Sequence, residues 1–240
     1  MTDRINYLPR LTSITVPILN TFVASVRLAE RIVNDPDDVN TVLDLITSQK
    51  LQKYSMSVFG DFYFTPKLSD MLLSADAIRS LTVQNAGGKS ALSEMLSIHY
   101  FGRLYDATEV LLEKEVEYWI NYKMVDFICT VRNKRVGVSV TRAMGFPSSD
   151  RFGYQDAVRL LHKKLYGLIV SRKGVSKKHK FNVSVLHVWC QTAKIAKLVS
   201  MAYENFDLDD YGLDVKNHVI LLLTVYKNPE IYHLDKHSLV

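Results

Sequence analysis

The order of apolar and polar positions divides this chain into a first third and a longer remainder. In the first third Ile14, Ile18, Leu19, Phe22, Val23, Val26, Leu28 and Ile32 recur near helical spacing and predict a helix over residues 14–33. Asp35-Pro36-Asp37-Asp38 then reads as a cap with proline at the first helical position, opening a second helix through Val39, Val42, Leu43 and Ile46. A short strand is expected over residues 60–65 and a short helix over 68–74. Residues 1–80 are therefore expected to be a mainly helical extension or lid on an α/β unit spanning residues 81–240.

That unit reads in a definite order. Gly87-Gly88 interrupts the chain, and residues 90–101 open a helix with Leu92, Met95, Leu96 and Ile98 on its inner side. Residues 108–112 have helical character, whereas 113–119 read both ways, since Val116 and Tyr118 alternate with Glu115 and Glu117. Two β-rich runs, residues 125–131 and 136–141, are joined by Arg132-Asn133-Lys134-Arg135, a hairpin signal. Ala157, Val158, Leu160, Leu161, Leu165, Leu168 and Ile169 make residues 154–171 an amphipathic helix. A strand over 181–189, a helix over 192–203 and a strand over 219–226 follow. Helix, three strands, helix, strand, helix, strand is the order of an α/β sandwich with a mixed sheet.

Composition narrows the class. The 240 residues are 48% hydrophobic and 23% charged, which excludes disordered, collagen-like and low-complexity chains. Cys129 and Cys190 each sit in an apolar run without CxxC or Cys/His zinc spacing, so buried free thiols in a reducing compartment are expected. The N-terminal residues lack the basic–apolar–small order of a signal peptide, and the apolar run 219–225 is far short of the roughly 20 residues that span a bilayer. An intracellular protein of cytoplasm or nucleus, neither secreted nor in a membrane, is expected.

Charge changes the picture more. The net charge is +5, yet residues 157–203 hold ten Lys and Arg and no Asp or Glu. The excess is densest at His162-Lys163-Lys164 and along Arg172, Lys173, Lys177, Lys178, His179 and Lys180. Such a segment fits a phosphate backbone, because cationic side chains gain by displacing condensed counterions. DNA or RNA is the expected partner, and the N-terminal helices are a candidate surface for a protein partner.

Carboxylates lie upstream of this segment. Glu94 is on the first helix of the unit and Asp126 opens a strand. Ser139 and Thr141 lie on the hairpin partner, where period two gives them one face, and Arg142 follows. A helix acid, a second-strand Asp and a third-strand residue pair resemble the PD-(D/E)XK nuclease-like superfamily, over about residues 87–189. That resemblance implies an αβββαβ restriction-endonuclease-like sandwich, here with an extra C-terminal αβ and the N-terminal extension. It implies a metal-dependent phosphodiesterase acting on DNA or RNA, with Glu94 and Asp126 holding Mg2+ or Mn2+. Ser139-x-Thr141 stands where the family carries an acid and a lysine. The resemblance gives those two residues the placing of water or phosphate, and gives Lys164, with Lys163 beside it, the part of a displaced lysine. Arg142, Lys163, Arg172, Lys173, Lys177, Lys178 and Lys180 would grip the backbone. The broken third-strand pair equally fits a nuclease fold that has lost catalysis and binds nucleic acid or serves in an assembly.

Other patterns carry less. Gly87-Gly88-Lys89-Ser90 resembles the end of a phosphate-binding loop, but Val83 replaces its first glycine. Residues 207–212 resemble a calcium loop, but His218 stands where the bidentate Glu belongs. His233 and His237 have helical spacing without further ligands. Trp119 and Trp189 read as core, with Tyr154 and Tyr166 placed to stack on bases.

Overall fold

A computed structural model describes residues 13–18, 22–28, 57–62, 73–83, 90–120, 122–181, 183–206, 219–226 and 230–233. Eight strands form one sheet: β1 (Ser13–Ile18), β2 (Phe22–Leu28), β3 (Ser57–Phe62), β4 (Thr108–Leu112), β5 (Phe127–Val131), β6 (Lys134–Ala143), β7 (Val183–Cys190) and β8 (Val219–Val225). Their order is β1-β2-β3-β8-β7-β6-β5-β4. The pairs β4/β5 and β5/β6 are antiparallel, while β6, β7 and β8 run parallel. The described helices are α1 (Ala75–Thr82), α2 (Ala91–Leu104), α3 (Tyr154–Gly174), α4 (Ala193–Glu204) and the single turn α5 (Glu230–His233). The chain is thus a mixed α/β protein, as its pattern predicts.

The alternation along β6 explains the layers. Val136, Val138 and Val140 join Met95, Leu96, Ile98 and Phe101 of α2 in one core. Ala143 and Ile128 join Leu161, Leu165 and Leu168 of α3 and Ile195, Ala196 and Val199 of α4 in the other. Helix α2 is buried over nearly its whole length, polar Ser93, Ser97 and His99 included, because α1 covers the side turned from the sheet. Those polar groups find partners inside: Trp189 Nε1 donates to Ser97 Oγ at 2.8 Å, and His99 Nδ1 accepts from Ser74 N at 3.1 Å. Cys129 and Cys190 are buried free thiols, as expected, and burial pushes the Cys129 thiol up to about 12.

Two sequence expectations fail in instructive ways. Residues 14–33 are not a helix where they are described: β1 and β2 pair antiparallel, with Ile14 opposite Val26, Val16 opposite Ala24 and Ile18 opposite Phe22. Ile14, Val16 and Ile18, and then Phe22, Val26 and Leu28, also fit a period of two, and Pro17, costly inside a helix, is tolerated in β1 at the sheet edge. Residues 108–112 form β4 rather than a helix. A bulge between Thr108 and Leu111, with Glu109 at φ 51, hides the alternation from the sequence. Of the strand expected over 60–65, residues 60–62 end β3 and 63–65 lie outside the described residues; of the short helix expected over 68–74, residues 73–74 are not helical and 68–72 lie outside them, as do the helix over 36–46, the 87–89 turn and the 207–212 loop.

The β5–β6 hairpin fixes the register that matters most. Arg132 and Asn133 form its two-residue turn, both with positive φ (44 and 65), the backbone of a type I′ turn. Counting back from the turn sets Phe127 opposite Val138 and brings Asp126 level with Ser139.

Candidate functional site

Strand β6 runs on past the start of β5, so among the described residues no strand pairs with that edge beyond Val138. Asp126, whose N–H still donates to Val138 O at 3.0 Å, fills part of the gap. Its Oδ2 accepts from Val140 N at 2.6 Å and from Ser139 Oγ at 3.0 Å. Lys164 arrives from α3 and donates from Nζ to Val140 O at 2.7 Å. One peptide unit of β6 is therefore held at its N–H by a carboxylate and at its C=O by an ammonium. Both hydrogen bonds to Asp126 end on Oδ2 and leave Oδ1 to other ligands.

Glu94 reaches this place from the opposite layer. It is 8% exposed on α2, and with Asp126 it lines a recess completed by Ser80, Val83, Ile98, Leu112, Glu113 and Lys114. Glu113 and Lys114 escaped the sequence reading because the turn that carries them follows a strand read as a helix. That turn is braced: Glu115 Oε2 accepts from Leu112 N at 2.8 Å, Arg79 Nη2 donates to Val110 O at 2.7 Å, and Arg79 pairs with Glu115. Among the described residues no three His, Cys, Asp or Glu side chains converge as metal ligands. A cation here would rest on Glu94 and Asp126, hard oxygen donors that suit Mg2+ or Mn2+ when waters and phosphate oxygens fill the other positions.

The remaining sequence candidates separate. Thr141 is half-buried and, by strand period, shares the Ser139 face. Arg142 belongs to the opposite face, and its Nη1 donates to Ile231 O in α5 at 2.7 Å, so the structure anchors it to the C-terminal turn. Lys163 is exposed beside Lys164, and Lys173, Lys177, Lys178 and Lys180 are exposed at the far end of α3 and in the loop after it. Arg172 is half-buried, with one guanidinium nitrogen buried without a partner; it does not stand among the exposed lysines.

The basic loop is fastened, not loose. Ser176 N donates to Glu117 O at 2.9 Å, Glu117 N to His179 Nδ1 at 2.8 Å, and Trp119 N to Gly174 O at 2.8 Å. Lys178 Nζ pairs with Glu117 Oε1 at 2.7 Å, and Arg135 donates to Lys178 O. Apart from Arg135, the partners are in residues 116–120, which with residues 122–125 make an arch at the end of α3 that precedes Asp126. Trp119 on the arch is 73% exposed, which corrects its assignment to the core. Trp189 is core, and Tyr154 and Tyr166 are partly exposed on α3.

No family model and no solved structure matches this chain. One curated protein does. A Dictyostelium discoideum protein described as "AAC-rich mRNA clone AAC4 protein" is 33% identical over 150 residues, which is 59% of this chain and 22% of that protein. The chain thus spans about a fifth of the length of the relative it matches. Among the described residues no helix is long and apolar enough to cross a membrane.

Proposed function

We propose that the protein is a divalent-metal-dependent phosphodiesterase of the PD-(D/E)XK type acting on DNA or RNA. The observation that carries this reading is the Lys164 ammonium seated on Val140 C=O while Asp126 takes Val140 N–H. A lysine and an aspartate thereby meet at one peptide of the third strand, although the strand itself offers only Ser139 and Thr141. The succession α2, β4, β5, β6, α3, β7 supports the same reading, as does Glu94 in the recess with Asp126. A bound divalent cation supplies charge neutralisation at the scissile phosphate and acidifies a water. The protein's own groups do the rest. Glu94 and Asp126 hold the cation, Ser139 fixes the Asp126 rotamer by its hydrogen bond, and Lys164 orients the attacking water and offsets negative charge. Thr141 borders that face, and Lys163, Lys173, Lys177, Lys178 and Lys180 draw the polyanion across it.

One observation favours a second reading, in which the fold binds nucleic acid or serves in an assembly without cutting. Ser139 stands where a further acid would help hold the metal, and its hydroxyl is spent on Asp126. The test is incubation with labelled single- and double-stranded DNA and RNA in Mg2+ or Mn2+ and in chelator. Cutting in metal alone supports the phosphodiesterase. Salt-sensitive binding without cutting supports the second reading, and neither cutting nor binding removes both.

A further inference from the structure

The arch, described over residues 116–120 and 122–125, has a side that the cleavage reading leaves unused. Trp119, Ile120 and Tyr122 are exposed at 73%, 67% and 62%, three large apolar side chains within four residues. Isolated exposed hydrophobics are ordinary, but a cluster on a tethered segment marks a contact surface. The backbone beneath them is held at several points: Trp119 N on Gly174 O, Tyr118 paired with Val175, and Val125 N on Tyr118 Oη at 3.0 Å. The rings are therefore presented by a fixed support, which limits the ordering cost of binding.

The surroundings of the cluster are cationic. Lys123 Nζ lies 5.2 Å from the Tyr122 ring centroid. Lys173 precedes the Gly174 that anchors Trp119, and exposed Lys177 and Lys178 follow in the loop tied to Glu117. Flat aromatic faces among lysines match a chain of anionic phosphates and planar bases. In a duplex the base faces are stacked on each other and closed to such rings, whereas in a single strand they are open. We infer that the Trp119–Tyr122 arch is a stacking platform for unpaired bases, so that the strand led to Asp126 is single-stranded DNA or RNA, or a single-stranded branch of a longer molecule. The inference rests on the nucleic-acid reading above and names its substrate class; the described residues 122–125 join the platform in sequence to Asp126.

Fluorescence titration of the full chain tests it. Of the two tryptophans, Trp189 is 1% exposed with its N–H bonded inside the core, so quenching reports on Trp119. Three probes are compared in chelator: a single-stranded oligonucleotide, its duplex, and an abasic strand with the same number of phosphates. The expected result is quenching by the single strand, with affinity about ten-fold or more above that of the abasic strand. Trp119→Ala and Tyr122→Ala, read by anisotropy of labelled strands, lose about that factor on the single strand and leave abasic binding unchanged. Equal affinity for abasic and normal strands, or full affinity in both variants, overturns the platform while leaving the basic surface intact. Absence of binding to all three probes overturns the nucleic-acid reading itself. Self-association that Trp119→Ala abolishes, with oligonucleotide affinity unchanged, would assign the arch to a copy-to-copy contact instead.

Discussion

Lys164→Met removes the ammonium and keeps the apolar stem along α3. In the wild type Nζ donates to Val140 O at 2.7 Å, a hydrogen bond from a charged donor. Such bonds contribute roughly 1.5–3 kcal/mol when desolvated, and Lys164 is only half-buried, so a loss of about 1 kcal/mol is expected. For a chain of this size that is a fall in Tm of about 2–4 °C, readable by calorimetry. The effect on cutting should be far larger, on the order of 10²–10⁴ in single-turnover rate, because a group that positions or exchanges a proton with the nucleophile acts in the transition state. Lys164→Arg keeps the charge and a donor for Val140 O. It restores the Tm but not the rate, since a guanidinium stays protonated and has a different shape. Wild-type cutting by Lys164→Met, or recovery of the rate together with the Tm in Lys164→Arg, would refute the assignment and leave Lys164 a structural clasp.

Other consequences concern the support of the site. A Cβ at Gly137 would stand 2.6 Å from Phe181 Cε2, so Gly137→Ala should cost about 1–3 kcal/mol in urea unfolding. Pairing it with Phe181→Leu should recover part of that loss. His187 is wholly buried between Tyr100 and Trp189 with Nε2 at 2.9 Å from Thr224 Oγ1, and burial lowers its pKa from 6.5 to about 3. His99, lowered to about 4 by burial and then by Arg103, acts in the same direction. Both rings are neutral in the fold, so their stability contribution is complete above pH 6.5 and is lost as the unfolded chain takes up protons below it. Between pH 6.5 and 4.5 the His187 share is roughly 2–3 kcal/mol. Chemical denaturation should show a shallower acid loss for His187→Phe than for the wild type, and identical slopes would contradict the assignment.

The hairpin pattern brings Asp126 and the Ser139/Thr141 face to one end, but its four-residue joint over 132–135 leaves the pairing open. In the structure the turn is two residues, Arg132-Asn133, and counting from it sets Asp126 beside Ser139. The same count separates Arg142 from Ser139 and Thr141 by parity, and its attachment to Ile231 O agrees with that parity against its expected clamp. Lys164 was reached through the resemblance; periodicity alone gives it only the edge of the α3 apolar stripe. β4 was hidden because a bulge with Glu109 at positive φ breaks the alternation in a five-residue run, and Glu113 was lost with it. The N-terminal strands were missed because their apolar residues satisfy two periods at once; Pro17 was the signal that decides between them. Trp119 reads as core with its apolar flanks, yet its exposure follows from the arch, whose tertiary bonds to Gly174 and Val175 no local pattern records.

In the proposed function Asp126 serves a metal-dependent cut as well as closing the end of β6. Asp126→Asn keeps an oxygen for Val140 N and Ser139 Oγ while removing the charge that a cation needs. The most direct measurement is single-turnover cleavage of a labelled oligonucleotide in Mn2+ by the wild type and by this variant, with circular dichroism run on both. Cutting by the wild type that stops in chelator, a folded variant, and a variant rate lower by at least about 10² are expected. Equal rates in the two proteins, or cutting that persists in chelator, would contradict that function.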